Sequence, residues 1–520
     1  MKAVYLSLSF IFCSLCLFGQ AYQKEYLPCG TPYTVTDWQK KYRANPERYK
    51  TNSDDTLYVP LTIHVTGNDD GSGRINPVFV LNNLCQLNRD FEPTLLQFFI
   101  EGDWNYIDST LWHNHQTILE GTDMMNANNV DNTINSYFPN SAAGNAGYNL
   151  PHADGVATRI LSTGLNDHTW THEIGHNLSV QHPFLGWEGG VSYDGSVSHM
   201  YNDPAPTTVT YDYTLFKDTL ILDTLIIDTA FVELIDGTNC DIASDGFCDT
   251  PPDYLSFRWP CSDDTLSQVL QRDPNGVPFF SDGRFFMSYS FDECQSKFSQ
   301  EQIDAMRANL ENEKPGHLLV NQNPDRAIIT QDVNGTFPIN GEPADFENVV
   351  LQWDPVPGAT HYLVELNRFP NFTYSFLVEQ VMVTDTFHLI EADLFVGIPY
   401  FWRVRPFNQS YACTAFNSGD NFVTGALTSA TEINDLQFLE LIPNPAGQGS
   451  DIMLSWVTTE AFDADVRIVD VAGRVIRNQP MAFLKGQHQQ AIPSSSLSQG
   501  LYFVQVNSPA GQITKKLIVQ

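Results

Sequence analysis

Three histidines and one glutamate in the segment THEIGHNLSVQHPF carry the clearest chemistry of this 520-residue chain. His172 and His176 are four residues apart, so on a helix they project from one face and can bind one metal ion. Glu173 follows the first histidine and can reach a metal-bound water as general base. His182 lies too far along to share that helix face. The chain must therefore turn after about Leu178 to bring His182 back to the metal.

Three neutral imidazoles leave a fourth ligand position open for water, which is typical of catalytic rather than structural zinc. Zinc lowers the pKa of such a water towards about 7 and polarises a peptide carbonyl. Glu173 would take the proton of the water and pass it to the leaving amine. The pattern thus predicts metal-assisted peptide hydrolysis. The alternative is a set of surface histidines on an ordinary helix.

The histidine spacing resembles the metzincin signature of zinc endopeptidases, and the flanking segments are similar to the pappalysin (cytophagalysin) branch. Residues 285–289 (FFMSY) resemble the Met-turn of that family. Residues 248–251 (CDTP) resemble its Asp-Thr-Pro loop, and residues 299–311 resemble its closing helix. The likeness covers about residues 56–320. It implies an α/β zinc peptidase domain that acts on proteins or peptides.

The same resemblance assigns roles around the metal. Met287 would form the apolar floor beneath the zinc, and Tyr289 would reach the metal or the oxyanion of the transition state. Two residues depart from the family pattern. Ser179 replaces the glycine that permits the turn, and a positive φ costs serine more free energy than it costs glycine. Ser288 replaces the usual aspartate of the Met-turn.

The segment LPCGT contains Cys29 and resembles the Cys-Gly-Thr element of some pappalysin pro-segments. A thiolate is a good zinc ligand and would displace the catalytic water, which keeps the enzyme latent. Residues 22–55 would then be a pro-segment, removed by cleavage near Arg48 or Lys50. The alternative is a disulfide between Cys29 and Cys85.

The cysteine count predicts disulfides and one free thiol. Cys13 and Cys16 leave with the signal peptide, and an odd number in an exported chain leaves at least one thiol without an internal partner. By resemblance, Cys261 and Cys294 form a disulfide, and Cys240 and Cys248 are further candidates. The seven that remain are Cys29, Cys85, Cys240, Cys248, Cys261, Cys294 and Cys413.

An acidic loop follows Cys240 and offers hard oxygen ligands suited to calcium. The pappalysin branch binds calcium near its Asp-Thr-Pro loop, so the resemblance implies a calcium site at Asp245, Asp249 and Thr250. The alternative is a solvated acidic loop without an ion.

The N-terminus and the charge indicate where the protein works. Residues 1–21 combine Lys2, an apolar run and a small-x-small cleavage signal, which predicts a secretory signal peptide rather than the alternative, a membrane anchor. The chain carries 27 Lys+Arg against 61 Asp+Glu, a formal charge of −34. Such acidity argues against nucleic acid or an anionic membrane as partner. We therefore expect a secreted or surface-exposed protein with no membrane span after signal removal.

The elements that must position the site follow in order along the chain. Leu57 starts a predicted strand, residues 76–91 have helical spacing, and residues 96–100 and 133–138 are further predicted strands. Their alternation predicts an α/β or α+β domain. Residues 207–236 contain an Asp-Thr repeat every five residues and suggest an inserted hairpin.

Two β-rich modules are predicted after the peptidase domain. Residues 337–425 show short alternating strands and are similar to a fibronectin type III-like sandwich. Residues 437–520 resemble the C-terminal sorting domain of the type IX secretion system, with a plain β-sandwich as the alternative. Linkers are expected at 321–336 and 426–436. The predicted architecture is thus multidomain: an α/β metzincin-like catalytic domain followed by two β-sandwich domains.

Other functions remain open on sequence grounds. The competing class is a non-catalytic adhesin whose fibronectin-like module does the binding, and intact Glu173 with all three histidines argues against it. A third hypothesis is a zinc hydrolase that acts on a substrate other than a peptide. The sequence favours a secreted zinc metalloendopeptidase made as a latent zymogen.

Overall fold

The computed structural model describes residues 27–31, 35–50, 54–212, 227–321, 323–346, 349–425, 433, 435–471, 473–495 and 497–520. The predicted signal peptide lies outside these residues. Within them, no helix is both long and apolar enough to cross a membrane. The chain divides into two compact units, the first formed by residues up to 331 together with 356–361 and 406–415.

Most helices of the first unit begin at side chains that accept hydrogen bonds from their free N–H groups, whereas the helix that starts at Thr169 has no such cap. The helix that starts at Pro77 has proline at its first position and Asn76 as its cap, which accepts a hydrogen bond from the N–H of Val78. Across the described residues, the α-helices are α1 Asp37–Ala44, α2 Pro77–Phe91, α3 Thr110–His113, α4 Ile118–Asn128, α5 Thr169–Asn177 and α6 Gln300–Asn312.

The first unit is built around one mixed sheet. Its strands are β1 Leu57–Gly67, β2 Leu96–Ile100, β3 Asn105–Asp108, β4 Ile134–Phe138, β5 Gly147–Leu150 and β6 Gly155–Thr158. The order is β2-β1-β4-β6-β5, and β3 also pairs with β1. All pairs are parallel except β5 with β6, so β5 is an antiparallel edge strand.

Apolar side chains on the sheet and on two helices form the layer beneath the site. Helix α2 packs on β2 and on α5, while α5 packs on β5 and β6. Strand β1 is buried from Val59 to its end, as expected for a strand covered on both faces. The strands and the helix predicted for this region form where expected, and the helix–sheet layering agrees with the α/β organisation.

A two-stranded pair flanks the Asp-Thr repeat. Strands β7 Thr208–Asp212 and β8 Ile227–Phe231 pair antiparallel, as the ends of a hairpin would. The repeat at residues 218–228 lies mostly outside the described residues. Two shorter strands, β9 Gln271–Arg272 and β10 Pro278–Phe279, pair further along the chain.

The second unit comprises residues 332–355, 362–405 and 416–520 and contains β-sheets. Its first strands are β11 Gly335–Phe337, β12 Glu342–Asp345, β13 Val350–Trp353, β14 His361–Asn367, β15 Leu377–Val383, β16 Phe387–Leu389, β17 Pro399–Phe407 and β18 Asp420–Gly425. They form a three-stranded sheet, β11-β13-β16, and a five-stranded sheet, β12-β18-β17-β14-β15.

The last strands form two further sheets with their own core. They are β19 Leu436–Ile442, β20 Asp451–Thr458, β21 Phe462–Asp470, β22 Val475–Phe483, β23 Gly486–Pro493, β24 Gly500–Ser508 and β25 Gly511–Val519. The orders are β19-β20-β23 and β22-β21-β24-β25. Ile452, Leu454 and Val504 are fully buried between them. The molecule is therefore multidomain, with many β-strands and few helices.

Seven cysteines lie in the described part of the chain; three disulfides join six of them, and Cys29 is a buried free thiol. The structure joins Cys240 to Cys248 and Cys261 to Cys294. Cys85 pairs with Cys413, 328 residues away, within the first unit. The alternative pairing of Cys29 with Cys85 is therefore wrong. Sequence spacing could not reveal this partner, because the loop at residues 406–415 reaches α2 only through the fold.

Candidate metal centre

Helix α5 and the turn after it bring the three histidines together. His172 and His176 lie one turn apart on α5, and both are buried. The helix ends at Leu178, and Ser179 has φ +76°, the left-handed conformation at which helices commonly stop. The predicted turn thus occurs at the predicted serine. His182 returns beside the other two histidines.

The Nε2 atoms of the three histidines converge on one point. The His172–His182 and His172–His176 distances are 3.1 Å, and the His176–His182 distance is 3.0 Å. Nδ1 of His172 lies 2.7 Å from the carbonyl oxygen of Phe286, and Nδ1 of His176 lies 2.8 Å from that of Val180. Because a carbonyl only accepts, these two Nδ1 atoms carry the protons, and both Nε2 atoms present lone pairs.

Converging lone pairs repel one another unless a cation lies between them, so the donor set fits a metal ion. Zinc with Zn–N bonds of about 2.0–2.1 Å places tetrahedral ligand nitrogens roughly 3.3 Å apart, close to the spacing found here. Burial lowers the pKa of His172 to about 4 and that of His176 and His182 well below the usual value. Neutral imidazoles are the form that binds metal.

Cys29 lies at the same point and could supply a fourth ligand. Its sulfur and one ring nitrogen of each histidine all lie within 4.8 Å of one another. The N–H of Thr31 donates a 3.2 Å hydrogen bond to the sulfur. Burial and the nearby Glu173 raise the pKa of the Cys29 thiol, whereas a bound cation would favour the thiolate. Four buried side chains could therefore hold one metal ion.

Glu173 lies beside the cluster with its carboxylate already engaged. Its Oε2 accepts a 2.7 Å hydrogen bond from the Thr31 hydroxyl and a 3.5 Å contact from the Cys29 thiol. Its Oε1 has no hydrogen-bond partner among the residues described. Burial raises the pKa of Glu173 to about 8, against the lowering effect of these two hydrogen bonds. A carboxylate with a raised pKa can accept and release a proton near neutral pH.

The segment around Cys29 lies along the edge strand of the sheet. The N–H of Gly30 donates to the carbonyl of Gly147 at 2.8 Å, and the N–H of Ala146 donates to the carbonyl of Pro28 at 2.9 Å. The pairing is parallel. A Cβ on Gly30 would lie 2.5 Å from the side-chain nitrogen of Asn145, so only glycine permits this close approach.

Helix α1 continues the same segment and packs on the first unit. Trp38 and Tyr42 are buried, and the Gln39 side chain donates to the carbonyl of Ser179 at 2.8 Å. Arg43 is half-buried and donates to the carbonyl of Asp245. The sequence indicated no core pattern here, because only one short face of this helix is buried.

Met287 packs against helix α5, which carries His172 and His176. Its role as the floor beneath a metal ion stays a prediction. The side chain is fully buried, and a Cβ added to Gly175 would lie 2.5 Å from its sulfur. Gly175 of α5 therefore makes room for the methionine. In the same turn, the Ser288 hydroxyl donates to Asp253 at 3.2 Å, which gives the substituted serine a buried partner.

Tyr289 is part of the site and contacts Cys29. Its hydroxyl accepts a 3.0 Å hydrogen bond from the N–H of Cys29 and lies 3.2 Å from the Cys29 carbonyl oxygen. Its ring lies 5.0 Å from that of His182 and 4.5 Å from that of Phe184. The hydroxyl thus faces the segment that covers the metal ligands.

The residues proposed for calcium have other partners in the structure. Asp245 is buried and accepts hydrogen bonds from the Thr250 hydroxyl and the N–H of Phe247, at 3.0 and 3.1 Å. Asp249 accepts a 2.9 Å hydrogen bond from the N–H of Glu301, in the first turn of α6. In the described part of the chain, the histidine–cysteine cluster is the one group of acidic, His or Cys side chains spaced for a shared ion. Calcium binding stays a prediction.

Sequence reasoning missed two side chains at the site. Thr31 was named only as part of the Cys-Gly-Thr motif, although its hydroxyl reaches Glu173. Glu188 was not singled out, although its carboxylate is buried 3.9 Å from Nδ1 of His182. The signal available was a carboxylate six residues after the third histidine, since metal-bound histidines commonly have such outer partners.

Comparison with known proteins identifies the C-terminal strands. Residues 440–520 match the family of secretion system C-terminal sorting domains. An extracellular metalloprotease of Colletotrichum graminicola is 27% identical over 221 residues, which covers 37% of this chain and 76% of that protein.

Solved structures match weakly. The chicken CNTN1 FN1-FN3 domains give a TM-score of 0.16 at 17% identity, over 38% of this chain and 65% of that one. The α-L-rhamnosidase of Streptomyces avermitilis gives 0.17 at 13% identity, over 36% of this chain and 24% of that one. At these TM-scores the likeness defines neither fold nor function. From the sorting domain, the chain engages the type IX secretion machinery and is secreted or held at the cell surface.

Proposed function

We propose that this protein is a secreted zinc metalloendopeptidase of the metzincin class, pappalysin-like, that is made as a latent zymogen. The observation that carries the proposal is the convergence of His172, His176 and His182 beside a buried Glu173. The similarity to an extracellular metalloprotease supports peptide hydrolysis as the reaction. Protein or peptide substrates are the corresponding partners.

Each residue of the site would have a separate role in hydrolysis. His172, His176 and His182 would hold the zinc ion, which when bound would supply Lewis-acid polarisation and lower the pKa of a nearby water. Glu173, whose pKa is raised to about 8, takes the proton of the attacking water and delivers it to the leaving nitrogen. Tyr289, once separated from Cys29, would direct its hydroxyl at the developing oxyanion and donate a hydrogen bond to it.

Three contacts of residues 22–55 support latency. The Cys29 sulfur lies where it would take the fourth ligand position, the Thr31 hydroxyl donates a hydrogen bond to the Glu173 carboxylate, and the Cys29 N–H donates one to the Tyr289 hydroxyl. Each contact engages a group that hydrolysis requires. Removal of this segment, with cleavage near Arg48 or Lys50, would free all three groups at once.

The remaining modules complete the proposal. Residues 56–320 would be the peptidase domain, and residues 337–425 a fibronectin type III-like spacer or binding module. Residues 437–520 would direct export, in agreement with the sorting-domain match. A calcium ion at Asp245, Asp249 and Thr250 is a further part of this proposal.

The proposal is tested by hydrolysis of casein and gelatin. Chain activated by limited proteolysis is assayed before and after chelation, and again after zinc is restored. Glu173→Gln keeps the shape of the side chain and removes its basicity, so we expect the rate to fall by at least about a hundredfold. Its zinc content should stay at one ion per chain. A Glu173→Gln protein that cleaves as fast as its parent would refute the mechanism.

A further inference from the structure

The groups that face the Nδ1 atoms of the three histidines differ. His172 and His176 direct Nδ1 at backbone carbonyls, those of Phe286 and Val180. Such a carbonyl fixes the ring and the tautomer, but it carries no net charge. Nδ1 of His182 instead faces a carboxylate oxygen, Oε1 of Glu188, at 3.9 Å. Metal-bound histidines commonly donate this N–H to a carboxylate, which raises the basicity of the other nitrogen.

Glu188 is held in place for this role. Its Oε2 accepts a 2.7 Å hydrogen bond from the N–H of Gly186, which anchors the carboxylate group. The side chain is 4% exposed, and Oε1 has no hydrogen-bond partner in the described part of the chain. A buried carboxylate oxygen left without a donor is costly, so it points to a function that supplies one.

The ring of His182 is restrained on its other side. It stacks on Phe184 with centroids 4.5 Å apart and an interplanar angle of 14°. Closure of the 3.9 Å gap therefore requires the Glu188 carboxylate to turn about the oxygen that Gly186 holds. A shift of Oε1 by about 1 Å, which rotation of the Glu188 carboxylate can supply, brings the contact to hydrogen-bond length.

We propose that Glu188 is the positioning residue for the third metal ligand, and that it accepts the Nδ1–H of His182 when zinc is bound. The charged acceptor keeps the proton on Nδ1 and directs the Nε2 lone pair at the metal. This inference rests on the proposed zinc site. It adds a residue that acts through His182 and does not touch the substrate.

The test measures zinc affinity of the full chain, independent of catalysis. Apoprotein is titrated with zinc against a chromophoric chelator for the parent, Glu188→Leu and Glu188→Gln. Loss of an outer-shell partner typically weakens metal affinity 10- to 100-fold, so we expect a shift of about that size for Glu188→Leu. The Glu188→Gln amide can still accept from Nδ1, so its affinity should lie within about threefold to tenfold of the parent. Glu233→Gln, at another buried carboxylate, should bind zinc like the parent.

A second measurement separates positioning from folding. Thermal unfolding of the zinc-free proteins should show similar midpoints for the parent and Glu188→Gln, while cobalt substituted for zinc should show a changed absorption spectrum in Glu188→Leu only. Equal zinc affinity and equal cobalt spectra for all three proteins would overturn the role of Glu188. A parent chain that binds no zinc would instead overturn the proposed function. The two failures are therefore distinguishable.

Discussion

The hydroxyl of Thr31 donates a 2.7 Å hydrogen bond to Oε2 of Glu173, across 142 residues of sequence. The same hydroxyl accepts a 2.7 Å hydrogen bond from the N–H of Asn149 on the edge strand. Thr31 therefore links the expected general base to the strand that holds the Cys29 segment. If the segment maintains latency, Thr31 and Cys29 block two different groups of the site.

Removal of both blocking side chains should open the site further than removal of one. In the chain that keeps residues 22–55, we compare peptide cleavage by Cys29→Ala and by Cys29→Ala combined with Thr31→Val. A hydrogen bond to a charged group contributes about 1.5–3 kcal/mol, so the second substitution should raise the rate by roughly 10- to 100-fold. The measurement is hydrolysis of a quenched fluorescent peptide before any activation cleavage.

Thr31→Ser is the matched control for this comparison, because it keeps the hydroxyl and loses only a methyl group. Cys29→Ala with Thr31→Ser should cleave like Cys29→Ala alone. Equal rates for the serine and valine double variants would show that the bond to Glu173 does not restrain the enzyme.

The close contact between Gly175 and Met287 predicts that alanine at position 175 destabilises the protein, the reverse of its usual effect inside a helix. Alanine is usually preferred to glycine inside a helix by about 1 kcal/mol. At Gly175, however, the added Cβ would lie 2.5 Å from the methionine sulfur. Overpacking costs about 1–3 kcal/mol, so Gly175→Ala should lower the unfolding midpoint of the first unit by roughly 5 °C. Differential scanning calorimetry gives the measurement.

A double-mutant cycle identifies the cause of that loss. Met287→Val shortens the side chain, so Gly175→Ala should cost less in that background, with a coupling of about 0.5–3 kcal/mol. Gly425→Ala is the control, since a Cβ there meets nothing within 4 Å, and its midpoint should not fall. Additive effects of Gly175→Ala and Met287→Val would contradict the contact.

Ser179 combines backbone strain with a compensating hydrogen bond. Its φ of +76° costs about 1–2 kcal/mol for a residue with a Cβ, and its hydroxyl accepts a 2.7 Å hydrogen bond from Asn309. Ser179→Ala keeps the strain and loses the bond, whereas Ser179→Gly loses both. We therefore expect the glycine variant to be more stable than the alanine variant by about 1 kcal/mol. Denaturant unfolding of the two variants checks the order, and the reverse order would contradict the strain.

Local patterns predicted the elements that carry the metal ligands. The His172–His176 spacing required a helix, and His182 required a turn near Leu178; both follow from short-range geometry. The strands from Leu57 and at residues 134–138 were visible for the same reason, because apolar periodicity is local.

Contacts between distant segments could not be predicted in this way. The pairing of Cys85 with Cys413 and the bond from Thr31 to Glu173 depend on tertiary packing, which leaves no spacing rule in the sequence. The buried residues of α1, Trp38, Gln39 and Tyr42, were missed because an eight-residue helix shows too few turns for a clear pattern.

The cysteine pairing predicts the number of reactive thiols. A chain without residues 1–21 has seven cysteines, three disulfides and the buried Cys29. A thiol reagent should therefore find no reactive group in the native protein and one after denaturation. Cys29→Ser should show none under either condition. Were Cys29 paired with Cys85 instead, Cys29→Ser would release the Cys85 thiol.

Cys85→Ser supplies the complementary result, because it breaks the pair with Cys413 and leaves that partner free. Two thiols per denatured chain are then expected, those of Cys29 and Cys413. Loss of this long-range disulfide should also cost about 2–5 kcal/mol of stability, seen as an earlier unfolding transition. The pairing is confirmed only if both counts hold, since a single free thiol in Cys85→Ser would mean that Cys413 had another partner.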